Sequence, residues 1–323
     1  MKVLILGGAG QDAKYLSEIL KKENGFEISL LCRNIPGKDQ RNYVDNVRYF
    51  KQDFTVLSDV EEILKIVNPD VIVNLASISS VMACEAKPDL AKKVNEQTPI
   101  EIMKLLRNPR FETTRFIQAS SSEMYSSSSE RYISELTPLA PNNGYGRQKA
   151  NVHSFVLQER KQNPNLSSII LFNHESPLRS QAFVSKKIVT AVHLISQGKQ
   201  LKLSLGNLMS TRDWGFAGDY MAAIALHIKD NRNENYVIAS GQLNSIEDFC
   251  QLAFAQVGIP NFLDYIEVDA GLIRVNDSIG LRGNSEKIYN YLEWKPRYSF
   301  ASLVKGLVIA ESSSSLELKE GND

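Results

Sequence analysis

Lys2-Val3-Leu4-Ile5-Leu6-Gly7-Gly8-Ala9-Gly10-Gln11-Asp12-Ala13 joins a short apolar run to a glycine cluster, and Leu16, Ile19 and Leu20 follow at helical spacing. The pattern is a buried strand, a tight turn and a helix start. Its glycines fall in a G-x-x-G-x-x-G spacing with alanine in the third place. Gly7 permits the turn, Gly10 lets the backbone approach a pyrophosphate, and position 13 has to be small for the helix to lie on the strand, which alanine still is. A glycine-rich turn between strand and helix is often only a turn. Its position directly after a buried strand favours a dinucleotide site.

Outward from this unit the alternation continues. Glu27–Cys32, Val47–Phe50, Val71–Leu75, Thr114–Ala119 and Ser167–Phe172 read as strands, short and apolar without strict alternation, as parallel strands covered on both faces do. Asp12–Lys22, Val56–Val67, Asp89–Leu106 and Gly144–Arg160 have helical spacing between them. The fold class is therefore α/β, a doubly wound parallel sheet. Residues 1–172 form the dinucleotide-binding domain, with later segments returning to it. The rest, 173–311, holds short apolar pieces (Leu201–Leu205, Tyr236–Ala239) and helices near 245–257 and 300–310, and reads as a smaller mixed substrate lobe. Residues 312–323 read as a loose polar tail.

Bulk composition excludes several classes. Lys+Arg and Asp+Glu both number 37, so no global field favours nucleic acid or membrane, and an anionic substrate must be met by local cations. No stretch approaches a membrane span, and the first apolar run is too short for a signal sequence. Three cysteines without CxxC spacing suit a reducing, cytoplasmic setting. The four scattered histidines have no paired-ligand spacing, so no metal site is expected.

The second strand ends Leu31-Cys32-Arg33-Asn34, with no carboxylate to hold the ribose hydroxyls of NAD. Arg33 could instead pair with a 2′-phosphate, which favours NADP over NAD, although a solvated surface arginine is the plainer reading. Asp53 could receive the adenine amino group or cap the next helix.

Two strings near the middle carry chemistry: Gln118-Ala-Ser-Ser-Ser-Glu-Met-Tyr125 and Gly144-Tyr-Gly-Arg-Gln-Lys149. Tyr145 and Lys149 share one helix face. An ammonium beside a phenol stabilises phenolate, so this tyrosine is expected below its usual pKa and able to take a hydroxyl proton as hydride leaves the same carbon. Tyr291 and Lys295 have the same spacing but run into Pro296. Ser121, just past the strand end, could hold the reacting oxygen. Glu123 is a carboxylate that a simple dehydrogenase does not need; it could take the proton alpha to a ketone. The plainer reading is a capping serine and a solvated glutamate.

With Gly10-Gln-Asp12, Gln118–Met124, Leu171-Phe-Asn-His-Glu-Ser-Pro177 followed by Phe183-Val-Ser-Lys-Lys-Ile188, and Leu205-Gly-Asn-Leu-Met-Ser-Thr-Arg-Asp-Trp-Gly215, the chain resembles the extended short-chain dehydrogenase/reductases, most closely their GDP-mannose 4,6-dehydratase branch. The likeness spans nearly the whole chain. It implies a hydro-lyase acting on a nucleotide-diphosphate sugar with tightly bound NADP. It assigns catalysis to Ser121, Glu123, Tyr145 and Lys149. To the cofactor contacts Gly7, Gly10, Arg33, Asp53, Tyr145 and Lys149 it adds Gln11, Asp12, Leu75 and Ala76. To the sugar nucleotide it gives Ser79, Asn173, Lys187, Arg212 and Arg274. A homodimer or homotetramer is implied. Departures are Ser121 for threonine, Leu178 for arginine, Ser80 for histidine, Ser126 for glycine, and a short Asn34–Asp45 segment. A sugar-nucleotide epimerase or 4-keto reductase shares everything but the need for Glu123. A non-catalytic sensor would not need the intact set.

Overall fold

The computed structural model describes residues 1–272 and 280–320, so Arg274 lies outside the described residues. Seven strands form the central sheet: β1 (Lys2–Leu6), β2 (Glu27–Cys32), β3 (Arg48–Lys51), β4 (Val71–Asn74), β5 (Arg115–Ser121), β6 (Leu166–Leu171) and β7 (Tyr236–Ile238). Every pairing is parallel and the spatial order is β7-β6-β5-β4-β1-β2-β3. The order reverses beside β1, which places a crevice over the carboxyl ends of β1 and β4, where doubly wound sheets bind ligands. All four residues of β4, and Val3 to Leu6 of β1, are buried, which is why the strands read as continuous apolar runs.

The strand expected at 114–119 is longer. It continues as Arg115–Ser121, so Ser121 is the last residue of β5 and pairs with Leu171. The single helix expected over 89–106 is three segments: Pro88–Lys92, a π turn Lys93–Gln97, and Thr98–Leu105. Pro99 has no N–H to give to the preceding turn, and a π turn accommodates that loss.

After β6 the chain leaves the sheet. Asn173–Glu175 pairs in parallel with Thr211–Phe216, which pairs antiparallel with Leu243–Ser245. The helix Ala217–Lys229 then packs on the first helix, Gln11–Lys21, and β7 closes the sheet edge beside β6. The smaller lobe has its own core, in which Trp214 stacks on Phe300 at 5.6 Å between ring centres and meets Phe249 edge-on at 5.4 Å. Ser245 and Asp248 form a capping box that starts the helix Ile246–Ala255.

The tail expected from residue 312 is instead the continuation of the helix Phe300–Glu320. Glu311 docks the helix on Lys186 and on Thr190 at 2.7 Å. Ser312 and Ser313 turn their hydroxyls back to the carbonyls of Val308 and Ile309, so the serines do not break the helix. No helix among the described residues is long and apolar enough to cross a membrane. Cys32, Cys84 and Cys250 are buried free thiols.

Candidate active site

At the end of β5 the chain turns sharply. Ser121 is extended (φ −149°), and its hydroxyl accepts the Glu123 N–H at 3.2 Å to start a 3-10 turn over Ser122–Tyr125. Met124 and Tyr125 are fully buried and anchor that turn. Glu123 lines a cleft with Asn173, Arg212 and Asp213, floored by Phe172 and Leu281. Residues from Gln118–Tyr125, Leu171–Pro177 and Leu205–Gly215 thus meet at one cleft.

The second wall is the helix Gly144–Glu159. Asn143 caps it, accepting the Gly146 N–H at 2.8 Å. Gly146 is needed for close approach: a Cβ there would stand 2.3 Å from the Glu123 carbonyl oxygen. The helix carries Tyr145 and Lys149 inward, and both are buried. Burial pushes the Tyr145 phenol up to about 12, against hydrogen bonding from Ser121 and Ser77 that lowers it; the charge of Glu123 raises it further. The expectation of a phenol lowered by Lys149 is therefore not met. The Lys149 ammonium sits 5.8 Å from the centre of the tyrosine ring and donates to the Ala119 carbonyl at 2.9 Å. Its own burial brings it down to about 8. Desolvation is the largest influence on both groups. Tyr291 and Lys295 share no helix, because Glu286–Leu292 ends at Glu293 in the left-handed region.

Behind the tyrosine lies a polar support that the sequence does not announce. Asn95, in the π turn, accepts from the Ser77 hydroxyl at 3.0 Å and the Ile78 N–H at 2.9 Å. Its amide donates to the Ile78 carbonyl and to Gln148 at 2.9 Å. Ser77 and Asn95 thus hold the phenol from the β4 side. Asn143 was legible only as a residue type favoured at helix starts; Asn95 sits inside an apolar helical pattern and Ser77 in a loop, with nothing local to mark them.

At the cofactor end, Gly7 adopts φ +87°, and a Cβ there would lie 2.7 Å from the Ala76 N–H and 2.9 Å from the Leu75 carbonyl carbon. The glycine turn thus rests on Leu75 and Ala76 at the switch point. No side chain caps the helix Gln11–Lys21 at Gly10, which leaves its first-turn amides available to an anion. This geometry fits the diphosphate of a dinucleotide. The side chains of Gln11 and Asp12 face elsewhere. Gln11 donates to the His174 carbonyl at 3.2 Å and accepts from Ser176 at 2.7 Å, and Asp12 meets His174 at 3.1 Å. Burial opposes both charges, yet the contact wins, raising His174 and lowering Asp12. Arg33 is exposed at the end of β2. Asp53 gives one oxygen to the Thr55 N–H and hydroxyl, both at 2.8 Å, while Val56 occupies the cap position of the next helix.

Among the expected sugar contacts, Asn173 and Arg212 reach the cleft; Arg212 also donates to the Thr211 carbonyl at 2.8 Å. Ser79, exposed after β4, and Lys187, in the first turn of Val184–Ser196, are not among its lining residues. Asp213 is structural: its carboxylate gathers the N–H groups of Ser240, Gly241 and Gly283.

The family model for GDP-mannose 4,6 dehydratase matches residues 4–307. GDP-mannose 4,6 dehydratase 1 of Arabidopsis thaliana is 34% identical over 320 residues, covering 94% of this chain and 88% of that protein. Among solved structures, dTDP-glucose 4,6-dehydratase of Bacillus anthracis in complex with NAD superposes with a TM-score of 0.81 at 21% identity, covering 98% of each chain. RMD of Pseudomonas aeruginosa complexed with NADPH gives 0.80 at 19% identity, covering 97% of this chain and 99% of that one. At those identities the two structures bear on the fold.

Proposed function

The chain belongs to the GDP-mannose 4,6-dehydratase family, and from that premise we propose that it removes water from GDP-mannose, or a close GDP-sugar, to give the 4-keto-6-deoxy sugar. The observation that carries the reading is the placement of the Glu123 carboxylate near the Tyr145 phenol, on a cleft with Asn173 and Arg212. The diphosphate of the substrate needs local cations in a chain of balanced charge, and Arg212 supplies one at this cleft.

A nicotinamide dinucleotide fits the glycine turn, and NADP is favoured because Arg33, not a carboxylate, directly follows β2. Gly7 and Gly10 would let the backbone approach it, with the first-turn amides of Gln11–Lys21 on its diphosphate and Leu75 and Ala76 below. When bound, its ring would supply a hydride acceptor for carbon 4 while oxidised, a hydride donor for carbon 6 once reduced, and, in the oxidised form, a positive charge that offsets the burial penalty on a phenolate. Tyr145 takes the proton of the 4-hydroxyl, with Ser121 holding that oxygen. The ketone so formed acidifies carbon 5. Glu123 takes the carbon-5 proton and delivers it to the departing 6-hydroxyl, which leaves as water. Tyr145 returns its proton to carbon 5 as carbon 6 receives hydride. Atoms balance: one water is lost and no reductant is consumed. Lys149, held on the Ala119 carbonyl, keeps positive charge beneath the site. The same reading includes a cytoplasmic homodimer or homotetramer, in which Leu90 and Leu157, exposed on neighbouring helices, are apolar surface that a second copy would cover.

Mass spectrometry of GDP-mannose incubated with the protein, without added NADPH, should show a product lighter by one water. A product of unchanged mass would mean an epimerase. Glu123→Gln should bind cofactor and sugar yet dehydrate at least about 100-fold more slowly; full activity would remove Glu123 from the mechanism.

A further inference from the structure

We infer that Asn143 is a positioning residue for the elimination step, fixing which oxygen of Glu123 takes the proton. This rests on the assignment of Glu123 above. Asn143 Nδ2 donates to Glu123 Oε2 at 2.7 Å, and among the described residues Oε1 has no hydrogen-bond partner. The amide is fully determined. Its oxygen accepts the Gly146 N–H at 2.8 Å, and its nitrogen also donates to Asn142 Oδ1 at 3.0 Å. Asn142 Oδ1 in turn accepts from the Ser126 hydroxyl at 2.7 Å. With every donor and acceptor assigned, the amide cannot flip without losing bonds, so it presents N–H and not oxygen to the carboxylate. The same residue starts the helix that carries Tyr145 and Lys149. One side chain therefore ties the orientation of the base to that of the phenol, two groups that act on adjacent ring carbons. The other charged or titratable groups at Glu123 are Tyr145 from that helix and Arg212 and Asp213 from Thr211–Phe216.

The two roles of Asn143 separate by substitution. Asn143→Ser and Asn143→Asp keep an oxygen to cap the helix but lack the N–H₂ donor, and the aspartate also repels Glu123. Asn143→Ala loses both, so its difference from Asn143→Ser measures the cap. Stopped-flow absorbance of the reduced nicotinamide, with GDP-mannose and the cofactor-loaded protein, reads the steps apart. The serine and aspartate variants should build up reduced cofactor at the normal rate and consume it about 10- to 100-fold more slowly. KM and melting temperature should stay near wild type, and substrate deuterated at carbon 5 should show an isotope effect on kcat larger than wild type. A purely structural residue would not move that isotope effect. Wild-type decay and isotope effect in both capped variants would overturn the inference, even where Glu123→Gln is inactive. A Glu123→Gln protein that dehydrates normally would sink the functional reading instead.

Discussion

Tyr145 and Lys149 illustrate how burial can reverse a local expectation. Spacing alone puts an ammonium one turn from a phenol and suggests an acidified tyrosine. In the fold both are desolvated, the phenol rises to about 12 and the ammonium falls to about 8. Tyr145→Phe should abolish the transient reduced-nicotinamide signal, lowering turnover by about 100-fold or more; a normal transient would exclude the phenol as base. In the reading proposed above, cofactor choice turns on Arg33. It is exposed, and its charge helps lower Asp53, whose pKa is held down first by the Thr55 bonds. Arg33→Ala should weaken NADP binding at least about 10-fold more than NAD in a fluorescence titration; equal losses would mean that Arg33 does not read the 2′-phosphate. Residue types were legible here because tyrosine, lysine, serine and glutamate announce their chemistry. Ser77, Asn95 and Asn143 were not, since their partners lie far along the chain.

The helix Gly144–Glu159 shows the same division among elements. Its start and length follow from spacing and an asparagine cap. Its depth follows from Gly146, whose missing Cβ lets the helix settle against the 3-10 turn of Glu123. Gly146→Ala would put a carbon 2.3 Å from a backbone oxygen, so backbone has to move. The expected cost is about 1–3 kcal/mol of stability, with elimination impaired more than the first oxidation. A thermal melt and turnover unchanged from wild type would show that the turn yields freely. The expected helix over 89–106 was legible as an amphipathic pattern, but not its π turn, which arises where Pro99 removes a hydrogen bond. The segment from 312 read as a loose tail because it is polar; docking of Glu311 on Lys186 and Thr190 ties the helix there to the lobe.

Across the whole molecule, β6 locks the two helical layers to one sheet. Its adjacent residues Ser167 and Ser168 point to opposite faces. Ser168 meets His153 of Gly144–Glu159 at 2.8 Å, and Ser167 meets His227 of Ala217–Lys229 at 2.8 Å. Burial lowers His153 to about 4; burial, aided by the Arg115 charge, lowers His227 to about 3. Below about pH 6.5 the unfolded chain protonates both while the folded chain does not, so acid favours unfolding. Denaturant melts should lose stability from pH 6.5 down towards 4, by up to about 1.4 kcal/mol per pH unit for each histidine. His153→Gln and His227→Gln should each flatten that slope; an unchanged slope in both would place the acid sensitivity elsewhere.

Sequence by itself determined the repeating strand and helix units, the glycine turn over which a dinucleotide fits, and the residue types of the candidate reactive groups. These depend on periodicity and on side-chain chemistry within a few residues of one another. Tertiary structure decided which groups share the cleft, bringing Asn173 and Arg212 to Glu123, and turning Gln11 and Asp12 to His174 and Ser176. It also decided the protonation of the buried groups. Both outcomes depend on contacts between distant segments and on the loss of water, and neither quantity is carried by any short stretch of chain.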